Sequence, residues 1–278
     1  NINNLILINY SVDLTIVINT YKDHIKYFKK CVSNISIHNN IKLLVIIDEK
    51  SEKYKTLISK ILKKKKFKNF RVILNRQRGI SSARNKAIKL CNTKWLTFLD
   101  GDDYIYNKKI KFNFLNKNYD FFILNSQLSN NNKTEFYTKD TNIITKLQKI
   151  NFFKKYLIKP RGNSVVTHTW SKIYNLRFLR KNKIYFKNNL DINEDFLFNS
   201  RCFLKAKKIK LFKKKKLVFH NVANITRTKT RHFKLDQKNY TNPIKNIIKI
   251  IPKKDQKFFF KAAVKYWEGK ISFFERNT

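Results

Sequence analysis

With 278 residues and 42% apolar side chains, the chain is long enough to bury a full core. Its formal charge of +44, from 62 Lys and Arg against 18 Asp and Glu, favours anionic partners: nucleic acid, phosphorylated ligands or an anionic membrane. The odd, scattered cysteines Cys31, Cys91 and Cys202 argue against a disulfide framework, and no run approaches the roughly 18 apolar residues of a membrane span.

The opening NINNLILINY has neither a basic n-region nor a small-residue cleavage site, so a cytoplasmic location is expected. Asp13–Asn19 reads as a buried strand, Ile25–Asn34 as a helix, Leu43–Asp48 as a strand, Ser51–Leu62 as a helix and Phe70–Asn75 as a third strand. Ser81 or Ser82 then offers a cap for a third helix, in which Ala83, Ala87 and Cys91 share one buried face. Trp95–Leu99 is the fourth strand. Strands alternating with helices of this length predict an α/β fold with a mostly parallel, doubly wound sheet.

In such sheets ligands bind at the carboxyl ends of the strands. There stand Asp100, Asp102 and Asp103, three carboxylates that repel one another unless a cation such as Mg²⁺ or Mn²⁺ intervenes. An EF-hand is excluded, because the twelfth loop position is Lys111, and no Gly-Lys-Ser/Thr follows Gly79 to make a P-loop. The plain alternative is an acidic turn capping a helix near Asn107–Leu115.

The second half predicts a strand at Phe121–Asn125, a polar loop, and a helix over Ile143–Leu157 broken by Pro160-Arg161-Gly162. A strand over Thr167–Tyr174 carries Trp170. A helix over Glu194–Leu204 and a short strand over Leu217–His220 follow. Asp191, Glu194 and Asp195 form a second acidic knot; in a chain this poor in acids, two knots at element ends mark a site. Alone, Glu194 and Asp195 read as helix N-terminal acids complementing the dipole.

From Pro243 on, the apolar spacing describes two lysine-studded amphipathic helices. The expected organisation is a catalytic domain over 1–235, with a nucleotide-binding half at about 12–104 and an acceptor half at 105–235, then a basic helical extension over 236–278. The extension either lies on an anionic inner-membrane surface, packs on the catalytic domain or mediates a dimer.

Four segments resemble the family-2 glycosyltransferases of GT-A fold: LTIVINTYK at Leu14–Lys22, GISSARNKA at Gly79–Ala87, WLTFLDGDDY at Trp95–Tyr104 and NEDFLF at Asn193–Phe198. TWSKIYNLRFL at Thr169–Leu179 and LVFHNVANITR at Leu217–Arg227 add to the likeness. The resemblance implies a GT-A, Rossmann-like fold and an inverting, metal-dependent transfer of a hexosyl or N-acetylhexosaminyl group. The donor would be a nucleotide-sugar, most often a UDP-sugar. The acceptor would be a hydroxyl on a saccharide or lipid-linked saccharide, in capsule or lipo-oligosaccharide synthesis.

It further implies that Thr20, Tyr21 and Asp48 line the nucleobase, that Arg84 lies beside the nucleotide, and that Asp100 sits near the ribose and metal. Asp102 would coordinate Mn²⁺ or Mg²⁺, Asp195 would be the general base, and Glu194 its like-charged neighbour. His220 either completes the metal shell or packs, and Trp170 either stacks on an acceptor sugar or belongs to the core. Asn19 and Glu49-Lys50 depart from the family's proline and Asp-Gly, which bears on the choice of base. Two rivals are a basic nucleic-acid-binding protein and a sugar-phosphate nucleotidyltransferase. The first lacks a nucleic-acid motif and the second lacks a glycine-rich loop after the first strand.

Overall fold

The computed structural model describes residues 13–21, 25–35, 41–48, 50–77, 79–107, 110–128, 140–158, 166, 168–188, 190, 193–220 and 238–276. Four parallel strands, β1 (Leu14–Thr20), β2 (Ile41–Ile47), β3 (Phe70–Leu74) and β4 (Trp95–Asp100), alternate with helices α1 (Ile25–Ser33), α2 (Glu52–Lys64) and α3 (Ile80–Leu90). The strands are apolar on both sides because the sheet is covered on both sides. Along β2, Leu43, Val45 and Ile47 face the layer built from α1 and α2, whereas Leu44 and Ile46 face the layer of α3. The period of two along a strand divides one sequence run between two cores.

The acceptor half adds β5 (Tyr104–Ile105), β6 (Phe121–Leu128), β7 (Thr141–Ile143), α4 (Lys146–Ile158), β8 (Lys172–Asn175), α5 (Leu176–Lys181), α6 (Glu194–Lys205) and β9 (Ile209–His220). The strand order is β3-β2-β1-β4-β8-β6-β9-β5, with β7 also on β9. β8 runs antiparallel to β4 and β6, so the sheet is mixed beyond β4. The strand ending at His220 is 12 residues long, and along its length β9 pairs with three strands, β5, β6 and β7. The strand predicted over Thr167–Tyr174 contracts to β8, and no α-helix forms over Asn107–Leu115, where the described residues hold only one 3-10 turn at Asn113–Asn116.

Two further helices, α7 (Lys238–Ile248) and α8 (Lys253–Arg276), close the chain. They pack on the catalytic domain. Ile244, Ile247, Ile248, Ile251, Phe259 and Ala263 all join the core on the α3 and α6 side, and Lys154 of α4 pairs with Asp255 at 2.7 Å. Most of the apolar stripe that a membrane-lying helix would turn to lipid is therefore already buried, although Phe258 is 64% exposed. Among the described residues no helix is long and apolar enough to cross a membrane.

Candidate active site

The site forms at the carboxyl ends of β1, β2 and β4, where α3 and α6 begin. Helix α3 starts differently from the sequence expectation. Its N-cap is Gly79, at φ 109°, and Ser81 and Ser82 lie inside the first turn. A glycine is required there because side chains disfavour that backbone region. Asp48 fixes this glycine, its carboxylate accepting the Gly79 N–H at 3.0 and 3.1 Å and the Asn75 amide at 3.1 Å. Asp48 thus organises the β3–α3 loop.

One turn along α3, Arg84 is 2% exposed and donates to three carboxylates: Asp100 at 3.1 Å, Glu194 at 3.3 Å and Asp195 through a short direct contact. The rings of Phe98 and Phe186 lie 5.8 and 5.3 Å from the guanidinium. Both amino nitrogens of Arg84 thus go to acids, while its buried Nε has no hydrogen-bond partner among the described residues. Three carboxylates exceed the single positive charge. Burial, then the Asp195 charge, push Glu194 up to about 8, against the pull of Arg84. Burial also raises Asp100.

Asp195 is 14% exposed and is held from both sides. Its second oxygen accepts the Thr169 N–H at 3.1 Å and the Thr169 hydroxyl at 3.0 Å. Asn193, at φ 61°, supplies the turn that aims the head of α6 into the cleft, and Asp191 lies outside the described residues.

Gly101 explains the spacing of Asp100 and Asp102. Its N–H donates to the Asn19 carbonyl at 2.9 Å, and a Cβ would fall 2.9 Å from that oxygen and 3.0 Å from Thr20 Cβ and Oγ1. The turn can leave β4 only by pressing on β1. Thr20 is buried, and its hydroxyl and both polar atoms of the Asn19 side chain have no hydrogen-bond partner among the described residues. Tyr21 is half-buried, and its carbonyl accepts the Tyr54 hydroxyl at 2.7 Å.

Asp102 is pushed up to about 7 by burial and by its neighbours Asp100 and Asp103. Asp103 is 1% exposed and bonds His220 Nδ1 at 2.9 Å. Although burial lowers His220, the Asp103 hydrogen bond and the surrounding acids raise it overall. No sequence spacing points to this pair, since β9 enters the site from 117 residues downstream. Among the described residues no three His, Cys, Asp or Glu side chains stand ready to enclose a metal ion.

Of the two readings of Trp170, the packed one fits its surroundings: it is 7% exposed and stacks with His168 at 4.8 Å and His220 at 5.3 Å. His168, which has no ligand spacing in the sequence, is exposed.

The family model described as glycosyl transferase family 2 matches residues 15–182. The chain belongs to glycosyl transferase family 2. Among its relatives, an uncharacterized glycosyltransferase of Methanocaldococcus jannaschii is 23% identical over 239 residues, covering 79% of this chain and 81% of its own. The poly(ribitol-phosphate) beta-glucosyltransferase of Bacillus spizizenii is 29% identical over 153 residues; the match covers 52% of this glycosyltransferase but only 22% of that longer protein. S. aureus TarS residues 1–349, solved in complex with UDP-GlcNAc, superposes with a TM-score of 0.68 at 16% identity, covering 91% of this chain and 72% of that one. The shared fold is GT-A, and membership of the family displaces the nucleotidyltransferase alternative.

Proposed function

We propose that this glycosyltransferase moves a hexosyl or N-acetylhexosaminyl group from a UDP-sugar to a hydroxyl of a surface polysaccharide, with inversion and with Asp195 as general base. The observation that carries the reading is the joint hold of Arg84 on Asp100 and Asp195. One acid comes from the nucleotide-binding half and the other from the acceptor half, and a shared guanidinium puts them on one cleft. The solved relative holds UDP-GlcNAc and the Bacillus relative is named for a polyol-phosphate acceptor, which supports the substrate class.

A base needs reach and a free lone pair before it needs a tuned pKa. Asp195 Oδ2 accepts two hydrogen bonds from Thr169, while the described residues give Oδ1 only Arg84, which leaves acceptor capacity for a hydroxyl proton. Asp195 would take that proton as the acceptor oxygen attacks the anomeric carbon on the face opposite the departing diphosphate. Arg84 contributes by holding Asp195 in place.

The donor set suits Mn²⁺ or Mg²⁺. Asp102 offers a carboxylate, and His220, with Nδ1 bonded to the buried Asp103 carboxylate, keeps Nε2 as the available ring nitrogen. A histidine ligand commonly has its other nitrogen anchored in this way. Such ions often take one or two protein carboxylates and leave the remaining positions to phosphate and water. When bound, the cation would offset charge developing on the leaving diphosphate.

A panel of nucleotide-sugars assayed for UDP release, with and without Mn²⁺, tests donor and metal together. For Asp195→Asn the expected outcome is unchanged nucleotide affinity with transfer reduced about 10²–10⁴-fold. Transfer at the native rate would end the reading of Asp195 as base.

A further inference from the structure

Lys172 is an odd residue to find in this core. It sits on β8, is 2% exposed and takes no part in the chemistry described above. Its ammonium donates a short hydrogen bond to the carbonyl oxygen of His168, four residues upstream, and Ser171, at φ 59°, makes the turn between them. The same oxygen accepts the Asn199 side-chain amide of α6 at 2.8 Å, and Asn199 is in turn oriented by the Tyr174 hydroxyl at 2.7 Å.

That carbonyl belongs to the peptide unit joining His168 to Thr169. The N–H of the same unit donates to Asp195 Oδ2 at 3.1 Å. An amide is a conjugated group, so withdrawing electron density at its oxygen makes its N–H a stronger donor. Hydrogen bonds in series polarise one another, and in a buried setting the effect is little screened. Lys172 and Asn199 therefore act on one end of a peptide whose other end grips the carboxylate.

We propose that Lys172 and Asn199 are positioning residues for Asp195, acting through the 168–169 peptide to strengthen the Thr169 N–H hydrogen bond that keeps the carboxylate oriented. This inference rests on the reading of Asp195 as base. Two side chains from different elements, Lys172 on β8 and Asn199 on α6, thus converge on one carbonyl oxygen. The groups facing Lys172 are Asp195 and Cys202 of α6 and His168 of the preceding turn. Burial draws the ammonium down to about 7, with Asp195 acting against that shift.

The test compares Lys172→Met, Lys172→Arg and Asn199→Ala with the native enzyme, assaying UDP release from whichever donor the panel identifies, water serving as acceptor. In Lys172→Met we expect kcat about tenfold lower, donor KM unchanged and the acidic limb of the pH–rate profile displaced upward by about one unit. Lys172→Arg keeps a cationic donor and should restore most of the rate. Asn199→Ala should move the limb in the same direction by less. The Thr169 amide proton should shift upfield by NMR in both Lys172→Met and Asn199→Ala, a readout independent of turnover.

Native kcat, limb and amide shift in a folded Lys172→Met protein would overturn the proposal. If that variant fails to fold, the same three readings in Asn199→Ala decide it, and native values there overturn it equally. Asp195→Asn assayed in parallel separates the two claims. Retained release in Asp195→Asn defeats the base assignment, whereas its loss beside an indifferent Lys172→Met defeats only the link through the peptide.

Discussion

Arg84 on α3 and Asp195 at the head of α6 are 111 residues apart in sequence and share a buried ion pair. Through its other amino nitrogen the same guanidinium reaches Asp100 at the tip of β4. Three segments that the chain delivers separately are thus fixed to one planar cation. A planar fork with donors in fixed directions can do this; a single ammonium cannot.

Arg84→Lys is therefore expected to behave as a severe change. Breaking a buried pair leaves uncompensated charge and costs about 3–5 kcal/mol. Urea unfolding of the two proteins at neutral pH would read the loss as a lower midpoint at constant slope. An unchanged midpoint would show that lysine can bridge the acids.

The elevated Glu194 makes stability fall as pH rises. Between its ordinary value near 4.5 and its folded value of about 8, the folded state binds more protons than the unfolded state. Stability then decreases with increasing pH across that window, by a few kcal/mol at most in total. Glu194→Gln removes this contribution. Its Tm should exceed that of the native protein at pH 8 and converge with it at pH 4.5, and thermal melts across the range would check both the sign and the window.

Gly101→Ala should disturb the acidic turn without touching any acid. The added methyl meets backbone oxygen at 2.9 Å on β1, a strand fixed between β2 and β4. Overpacking of this kind costs about 1–3 kcal/mol. Calorimetry with UDP and Mn²⁺ should show weaker binding as Asp100 and Asp102 are displaced; affinity equal to the native protein's would mean that the turn tolerates the shift.

Ile247→Asp tests whether α7 belongs to the folded domain. Ile247 is fully buried against the α6 side of the core. An unpaired carboxylate there should cost at least about 3 kcal/mol and lower the denaturation midpoint. A surface or membrane-facing helix would show almost no change in free solution.

The first hundred residues were legible because their physics is local. Apolar runs of strand length, separated by amphipathic helices, leave few architectures open, and β1 to β4 follow the predicted order. Beyond β4 the pattern weakens. The run Lys213–Lys216, exposed or half-buried, lies inside β9, because a strand paired on both edges draws its stability from neighbours rather than from its own residues. Lys172 looks like a surface residue on paper and is buried, and Asp103 is buried against His220 from far along the chain.

By itself the sequence determined the class of fold, the edge of the sheet where chemistry would gather and the acids that would gather there, since strand and helix periods and the scarcity of carboxylates are properties of the chain alone. The tertiary structure decided what those side chains do to one another. It set Arg84 among three acids, stacked Trp170 with two histidines, paired His220 with Asp103 and buried most of the C-terminal apolar stripe. These depend on contacts between separate segments, where burial and Coulomb interaction act through space and leave no spacing in the sequence to read.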